Sequence, residues 1–308
     1  MKTLQAASRF LLLIGFTALL YSRPLAALER DVVISAWQGP CVDGDFAANL
    51  ATARSVVQQA LERNSDFLAF PETFLSGYVT REKMLAGARN LDGPEITSFI
   101  AESAGHNMVI IVGLARKVGE EVYNTELVIQ NGKLLGTFDK VMLTGSDRDK
   151  LKFTPGLDVP VFTANGARFA VIICHDTSFP QPGFLAKLRG AEILFTPHYN
   201  SIDAQRVDEH RKLVRNNHVG LACLLKMALV RSNVVVLDRP GSPGYGDSFI
   251  MTPEGEVLAG ADLFRTELVT ATLTAEMFRR ANGWASLDAV PAWLNKALAE
   301  ELVRAANP

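Results

Sequence analysis

Residues 108–114, reading MVIIVGL, form a continuous apolar run in which neither face of an alternating segment would be polar. A strand of that kind is buried on both sides, so it demands a sheet covered by other layers. The segments around it supply both sheet and cover. Residues 32–37 (VVISAW) are largely β-branched and bounded by Gly39-Pro40, and residues 67–70 (FLAF) are apolar and ended by Pro71, so both read as strands. Between them Phe46, Leu50, Ala53, Val57, Ala60 and Leu61 recur at helical spacing, predicting an amphipathic helix over about 46–63. Ile96, Phe99 and Ile100 mark a second helix that stops near Gly105.

Further on, 122–130, 134–139, 159–163 and 168–174 read as strands. Asn131-Gly132 and Asn165-Gly166 suit two-residue hairpins, because both positions of such a turn need φ > 0. Helices and strands then return: 184–189, 193–196, a long polar helix from about Ala204, 234–237, 248–252 and 268–273. The tail over 275–307 looks helical, with Pro291 opening its last segment. The sum is one α/β domain of mixed parallel and antiparallel strands with helices outside.

Composition narrows the class. With 48% hydrophobic and 21% charged residues, the chain is neither disordered nor a coiled coil nor a polytopic membrane protein. A formal charge of −2 offers no basic excess to neutralise phosphates, which argues against nucleic acid as a partner. Three cysteines are no disulfide framework, and the odd number leaves at least one thiol free. Cys41 and Cys223 are one conceivable pair; three separate thiols are the other arrangement.

The first residues differ from everything after them. Lys2 and Arg9 precede the uncharged run FLLLIGFTALL at 10–20, and small residues follow at Ala26 and Ala27. This is the pattern of a secretory signal, too short for a spanning helix, although cutting after Ala27 puts Leu25 at the −3 place. The expectation is a signal over 1–27, a periplasmic or secreted protein, and no stable membrane span once the signal is removed. An unused signal would leave the chain cytoplasmic or anchored by that segment.

Three reactive side chains stand just after predicted strands, where a sheet delivers residues to a common edge. They are Glu72 in FPETF, Lys140 in FDKV and Cys174 closing 169–173 (FAVII) ahead of His175-Asp176. Taken singly, each has an ordinary explanation as turn residue, solvated strand end or buried small hydrophobe. Together, and in distinctive strings, they resemble the Glu-Lys-Cys triad of the nitrilase superfamily, the carbon–nitrogen hydrolases. FPETFLSGY at 70–78, YNT at 123–125, FTPG at 153–156, CHDTSFP at 174–180, GAEILFTP at 190–197 and GDSFIMTPEGEVLA at 246–259 are similar to family segments, in family order, over nearly all of 31–273.

The resemblance implies a four-layer α-β-β-α sandwich over residues 28–275, with 276–308 as a helical extension, and a homo-oligomer. It implies hydrolysis of a small amide or N-carbamoyl compound through a thioester, without cofactor or metal. Cys174 would attack, with Lys140 lowering its pKa, and Glu72 would move the protons. The backbone N–H of His175 would share the developing oxyanion with Lys140. Tyr78, Phe179, His198 and Asn200 fall in strings expected to line the substrate. The Cys-His-Asp string is similar to the amidase and carbamoylase branches; a nitrilase, an N-acyltransferase and a catalytically silent binding protein on the same fold are the alternatives. His175 is a poor base for Cys174, since adjacent residues of an extended segment point apart. His198, His210 and His218 have no zinc-motif spacing.

Two departures stand out. Many members carry a second Glu before F-x-PG; alignment on FTPG places Asp149 there, with Asp147 the neighbouring candidate. Where relatives often show Arg-Ala-x-Glu-Asn ahead of the next strand, this chain has Met227-Ala228-Leu229-Val230-Arg231-Ser232-Asn233.

Overall fold

The computed structural model describes residues 28–239 and 241–306; the expected signal segment 1–27 lies outside them. Along the chain run β1 (Val32–Gln38), α1 (Phe46–Glu62), β2 (Phe67–Ala69), α2 (Arg81–Gly87), α3 (Pro94–Glu102), β3 (Val109–Val118), β4 (Glu121–Gln130) and β5 (Lys133–Asp139). Then come β6 (Val161–Ala164), β7 (Ala167–Val171), α4 (Pro180–Leu188), β8 (Ile193–His198), α5 (Val207–Leu225), β9 (Ala228–Asn233), β10 (Val235–Val236) and β11 (Gly244–Tyr245). The chain closes with β12 (Phe249–Met251), β13 (Val257–Gly260), β14 (Glu267–Leu273), α6 (Ala275–Trp284) and α7 (Ala292–Ala306).

Among the described residues, two six-stranded mixed sheets form, ordered β14-β1-β2-β3-β4-β5 and β13-β12-β9-β8-β7-β6. The central pairs β1–β2, β2–β3, β7–β8 and β8–β9 are parallel and the outer ones antiparallel. Strand alternation shows how the layers arise. Val32, Ile34, Phe67, Ala69, Val109 and Ile111 point into the core between the sheets. Leu68, Phe70, Ile110 and Val112 point the other way, onto Leu50, Ala53 and Val57 of α1 and Ile96 and Phe99 of α3. Phe67 meets Phe169 edge-on at 5.2 Å and Phe195 at 5.7 Å, joining the sheets through aromatic contacts. Ala186 of α4 and Leu221, Ala222 and Leu225 of α5 pack with the second sheet. The result is the expected four-layer α-β-β-α sandwich.

Both Asn-Gly pairs adopt positive φ at each position (47° and 72°; 53° and 76°), as two-residue hairpins require. One sequence expectation is corrected. The run expected to be a strand through Cys174 ends at Val171, and Cys174 instead opens a one-turn 3-10 segment. In the departing string 227–233, Ala228–Asn233 forms the buried strand β9. The short helix α2 carries too weak an apolar pattern to be predicted. No helix of the described residues is long and apolar enough to cross a membrane. Cys41, Cys174 and Cys223 are all free thiols; Cys41 and Cys223 donate to separate carbonyls, Phe74 O and Glu254 O, each at 3.2 Å.

Candidate active site

The two sheets bring Glu72, Lys140 and Cys174 to one edge. Glu72 follows β2 through Pro71, in a turn where Thr73 has φ 48° and Glu72 N donates to His198 O at 3.3 Å. Lys140 follows β5, and its backbone N–H donates to Asn124 O while its own carbonyl accepts from Gly156 N, both at 2.9 Å. A Cβ at Gly156 would stand 2.1 Å from Asp139 O, so the glycine of FTPG is what allows that loop to close on the lysine.

Cys174 follows β7 in the left-handed region at φ 47°, a conformation uncommon for a side-chain-bearing residue. Asp176 braces it, accepting from Ile173 N at 2.8 Å and from Met142 N at 2.7 Å. Burial lifts the Asp176 carboxyl to about 7 although those two donors favour its charge.

The charges are neutralised by contact. Lys140 Nζ lies 2.8 Å from Glu72 Oε1 and 3.0 Å from Asp147 Oδ2, and all three side chains are almost wholly buried. Asn124 Nδ2 donates to Glu72 Oε1 at 2.7 Å and Tyr199 N to Oε2 at 2.9 Å. Burial opposes the Lys140 charge, yet Glu72 foremost, with Tyr78, Cys174 and Asp147, holds its pKa well above the ordinary lysine value. Burial raises Asp147, but Lys140 and donors from Tyr78 and Thr144 bring it net below the usual carboxylate value.

At Cys174 the expected influence of Lys140 is present but outweighed. Burial first, then the Glu72 carboxylate, push its pKa well above the ordinary thiol value; Lys140 works to lower it and is outweighed. The net balance in the resting site disfavours the thiolate.

The other expected residues divide. Asp149 is exposed on the single π-helical turn Ser146–Leu151, and it is Asp147, buried on the inner side of that turn, that reaches Lys140. Tyr78 joins the charged group, donating from its hydroxyl to Asp147 Oδ1, with Lys140 Nζ 5.7 Å from its ring centre. Asn200 Nδ2 lies 3.5 Å from Cys174 Sγ. Phe179 and His175 are half-buried and meet edge-on at 5.2 Å. His198 does not turn toward the sulfur: its Nδ1 bonds Thr196 O at 2.7 Å and its ring sits 5.1 Å from that of His218, on the α5 side of the sheet. Among the described residues no three His, Cys, Asp or Glu side chains gather into a metal-holding group.

Glu126 is the residue that motif reading misses. It is wholly buried on β4 two positions from Asn124, neither carboxylate oxygen has a partner, and burial with the nearby Glu72 charge lifts its pKa well above the ordinary value. A signal for it exists: a lone Glu in a strand otherwise apolar or neutral over 122–130.

Comparison with known proteins agrees with this architecture. The family description "Carbon-nitrogen hydrolase" matches residues 33–282, and the chain belongs to that family. It is a carbon–nitrogen hydrolase by that membership. The N-carbamoylputrescine amidase of Arabidopsis thaliana is 28% identical over 269 residues, covering 82% of this chain and 89% of the relative. A nitrilase of Pyrococcus abyssi is 28% identical over 236 residues, covering 75% and 85%. In fold, the chain matches a carbon-nitrogen hydrolase of Helicobacter pylori with a TM-score of 0.75 at 19% identity, covering 87% of this chain and 98% of that one.

Proposed function

We propose that this chain hydrolyses a non-peptide carbon–nitrogen bond of a small amide or N-carbamoyl compound, with Cys174 as nucleophile and Glu72 and Lys140 as its partners. The observation that carries the reading is the buried contact of Lys140 Nζ with Glu72 Oε1 at 2.8 Å beside a cysteine held at φ 47°. No structural need of a core explains an ion pair and a strained thiol meeting at one edge.

The steps follow from these contacts. Glu72 takes the Cys174 proton as sulfur bonds the amide carbon, so the charge moves to the substrate oxygen without a free thiolate building up. Lys140 and the His175 backbone N–H stabilise that oxyanion. As the C–N bond breaks, Glu72 returns the proton to the departing amine, leaving a thioester on Cys174. Glu72 then accepts a proton from water, whose oxygen attacks the thioester, and the thiol is restored with its proton. Asp147 holds Lys140 in place throughout, as its 3.0 Å contact supports.

Ammonia release from a panel of small amides, N-carbamoyl amines and amino acids, and nitriles tests this against Cys174→Ala. Release by the wild type alone is expected, best with an amide or carbamoyl compound. A preference for nitriles would move the assignment to nitrile hydrolysis. Equal release by both proteins would overturn the mechanism.

A further inference from the structure

Arg231 is wholly buried on β9 and has no carboxylate within ion-pair distance among the described residues. Its Nη1 donates to Gly246 O at 2.9 Å and Asp247 O at 2.6 Å, its Nη2 to Asn200 Oδ1 at 2.6 Å and the Tyr245 hydroxyl at 3.3 Å, and its Nε has no partner. The nearby Asp247 carboxylate is engaged elsewhere, by Arg215 at 2.6 Å and Arg211 at 3.2 Å. The Tyr245 and Phe249 rings face it at 5.7 and 6.0 Å, but its hydrogen-bond partners are all neutral acceptors, an unfavourable setting for a buried guanidinium.

Its neighbour supplies the account. A guanidinium only donates, so Asn200 must present its carbonyl oxygen to Arg231. That leaves the Asn200 amide nitrogen facing Cys174 Sγ, at 3.5 Å. The backbone N–H of Asn200 is pinned by Asn233 Oδ1 at 2.9 Å, so the residue is held at both ends.

We propose that Arg231 is a positioning residue that locks the Asn200 amide with its N–H group toward Cys174, so that Asn200 donates to the sulfur as its proton passes to Glu72. The proton and electron balance of that step is unchanged: the S–H bond breaks, Glu72 gains the proton, and the sulfur lone pair is held by the Asn200 N–H until it bonds carbon. The assignment rests on Cys174 being the nucleophile, but it concerns the thiol itself and is read without turnover.

Alkylation of Cys174 by iodoacetamide is followed across pH, peptide by peptide by mass spectrometry so that Cys41 and Cys223 are counted apart. Wild type is compared with Arg231→Met, Arg231→Gln and Asn200→Leu, the last removing the N–H without adding a charge. In Arg231→Met and Asn200→Leu alkylation of Cys174 at pH 7 should be roughly tenfold slower, the equivalent of about one pH unit. Arg231→Gln loses the charge but keeps a donor toward the Asn200 oxygen and should recover part of that loss. Folded Arg231→Met reacting at the wild-type rate would overturn the proposal. If that variant does not fold, the near-isosteric Asn200→Leu decides, and its unchanged rate is equally fatal. Slowed alkylation together with ammonia release surviving in Cys174→Ala would support the clamp while removing the hydrolytic reading.

Discussion

The cysteine lies between two unlike halves of one site. The half built from the first sheet and the following loop is ionic: Glu72, Lys140 and Asp147 are buried and in direct contact, with Asn124 and Tyr78 donating into them. The half built from the second sheet relies on strain and hydrogen bonding: Cys174 at φ 47°, braced by the Asp176 carboxyl, with Asn200, Thr196 and imidazoles whose pKa burial lowers. Its buried cation, Arg231, touches no carboxylate among the described residues. The first half fixes where charge sits, and each of its charges depends on another being present. The second half fixes how groups are turned, and its members can be changed with the neighbouring charges left whole.

Removing one ion from the first half should therefore have the largest effect on stability. Lys140→Met leaves two buried carboxylates without their cation, a class of change that destabilises by about 3–5 kcal/mol. Urea unfolding should show the midpoint falling sharply, with ammonia release lost. Asp147→Asn should lower both to a lesser degree, whereas the exposed Asp149→Asn should stay within about 0.5 kcal/mol of wild type. Equal effects at 147 and 149 would mean that the contact with Lys140 does not carry the network.

A second break point lies where β3 and β4 meet behind Glu72. Gly113 pairs with Glu126, and a Cβ at Gly113 would stand 2.4 Å from both Glu126 Oε1 and Thr73 N. One of those atoms is backbone of the turn that presents Glu72, so it has little room to give. Gly113→Ala should destabilise by about 1–3 kcal/mol, as overpacked cores do. It should also slow catalysis more than thiol alkylation, because it displaces the carboxylate half and not the sulfur. Truncating Glu126 in the same chain should relieve only part of the loss, since Thr73 N stays in place. A fully relieved double variant would show the carboxylate alone to be the obstacle.

What the sequence discloses follows the same division. Strand ends are set by local signals, such as Pro71 after an apolar run or a hairpin at Asn131-Gly132, so Glu72 and Lys140 can be placed at an edge from the chain alone. Counting back from FTPG selects Asp149 over Asp147 because spacing carries no information about winding. On that helical turn residues two apart face nearly opposite ways, so Asp147 points inward while Asp149 stays in water. His198 escapes sequence reading because only register decides the face of a fully buried strand, and β8 is buried at every position. The thiol's raised pKa is hidden as well. Lys140 predicts a lowered value, but the balance depends on how deeply the sulfur is buried and how near Glu72 stands, which spacing does not carry.

A modest effect is expected on the neutral side at pH 7, and pH isolates it. His218 is wholly buried, its Nδ1 bonding Val214 O at 2.7 Å and its Nε2 bonding Thr196 Oγ1 at 3.0 Å. Burial first, then Arg231, bring its pKa down from 6.5 to about 3. The folded protein thus refuses a proton that the unfolded chain accepts between those values. By linkage, stability rises with pH across that window, so this contribution is whole above pH 6.5 and is lost progressively as pH falls toward 3. His218→Gln removes the titrating group while keeping an amide able to meet the same partners. At pH 7 it should differ from wild type by about 1 kcal/mol, the worth of an altered hydrogen bond. Between about pH 6 and 4 its urea midpoint should decline less steeply than that of wild type. The carboxylates of the ionic half titrate in both proteins, so the difference between the two curves reports the neutral half alone. Parallel curves would show that acid acts first on the Glu72–Lys140–Asp147 group, and that the imidazole's burial is not what limits the fold at low pH.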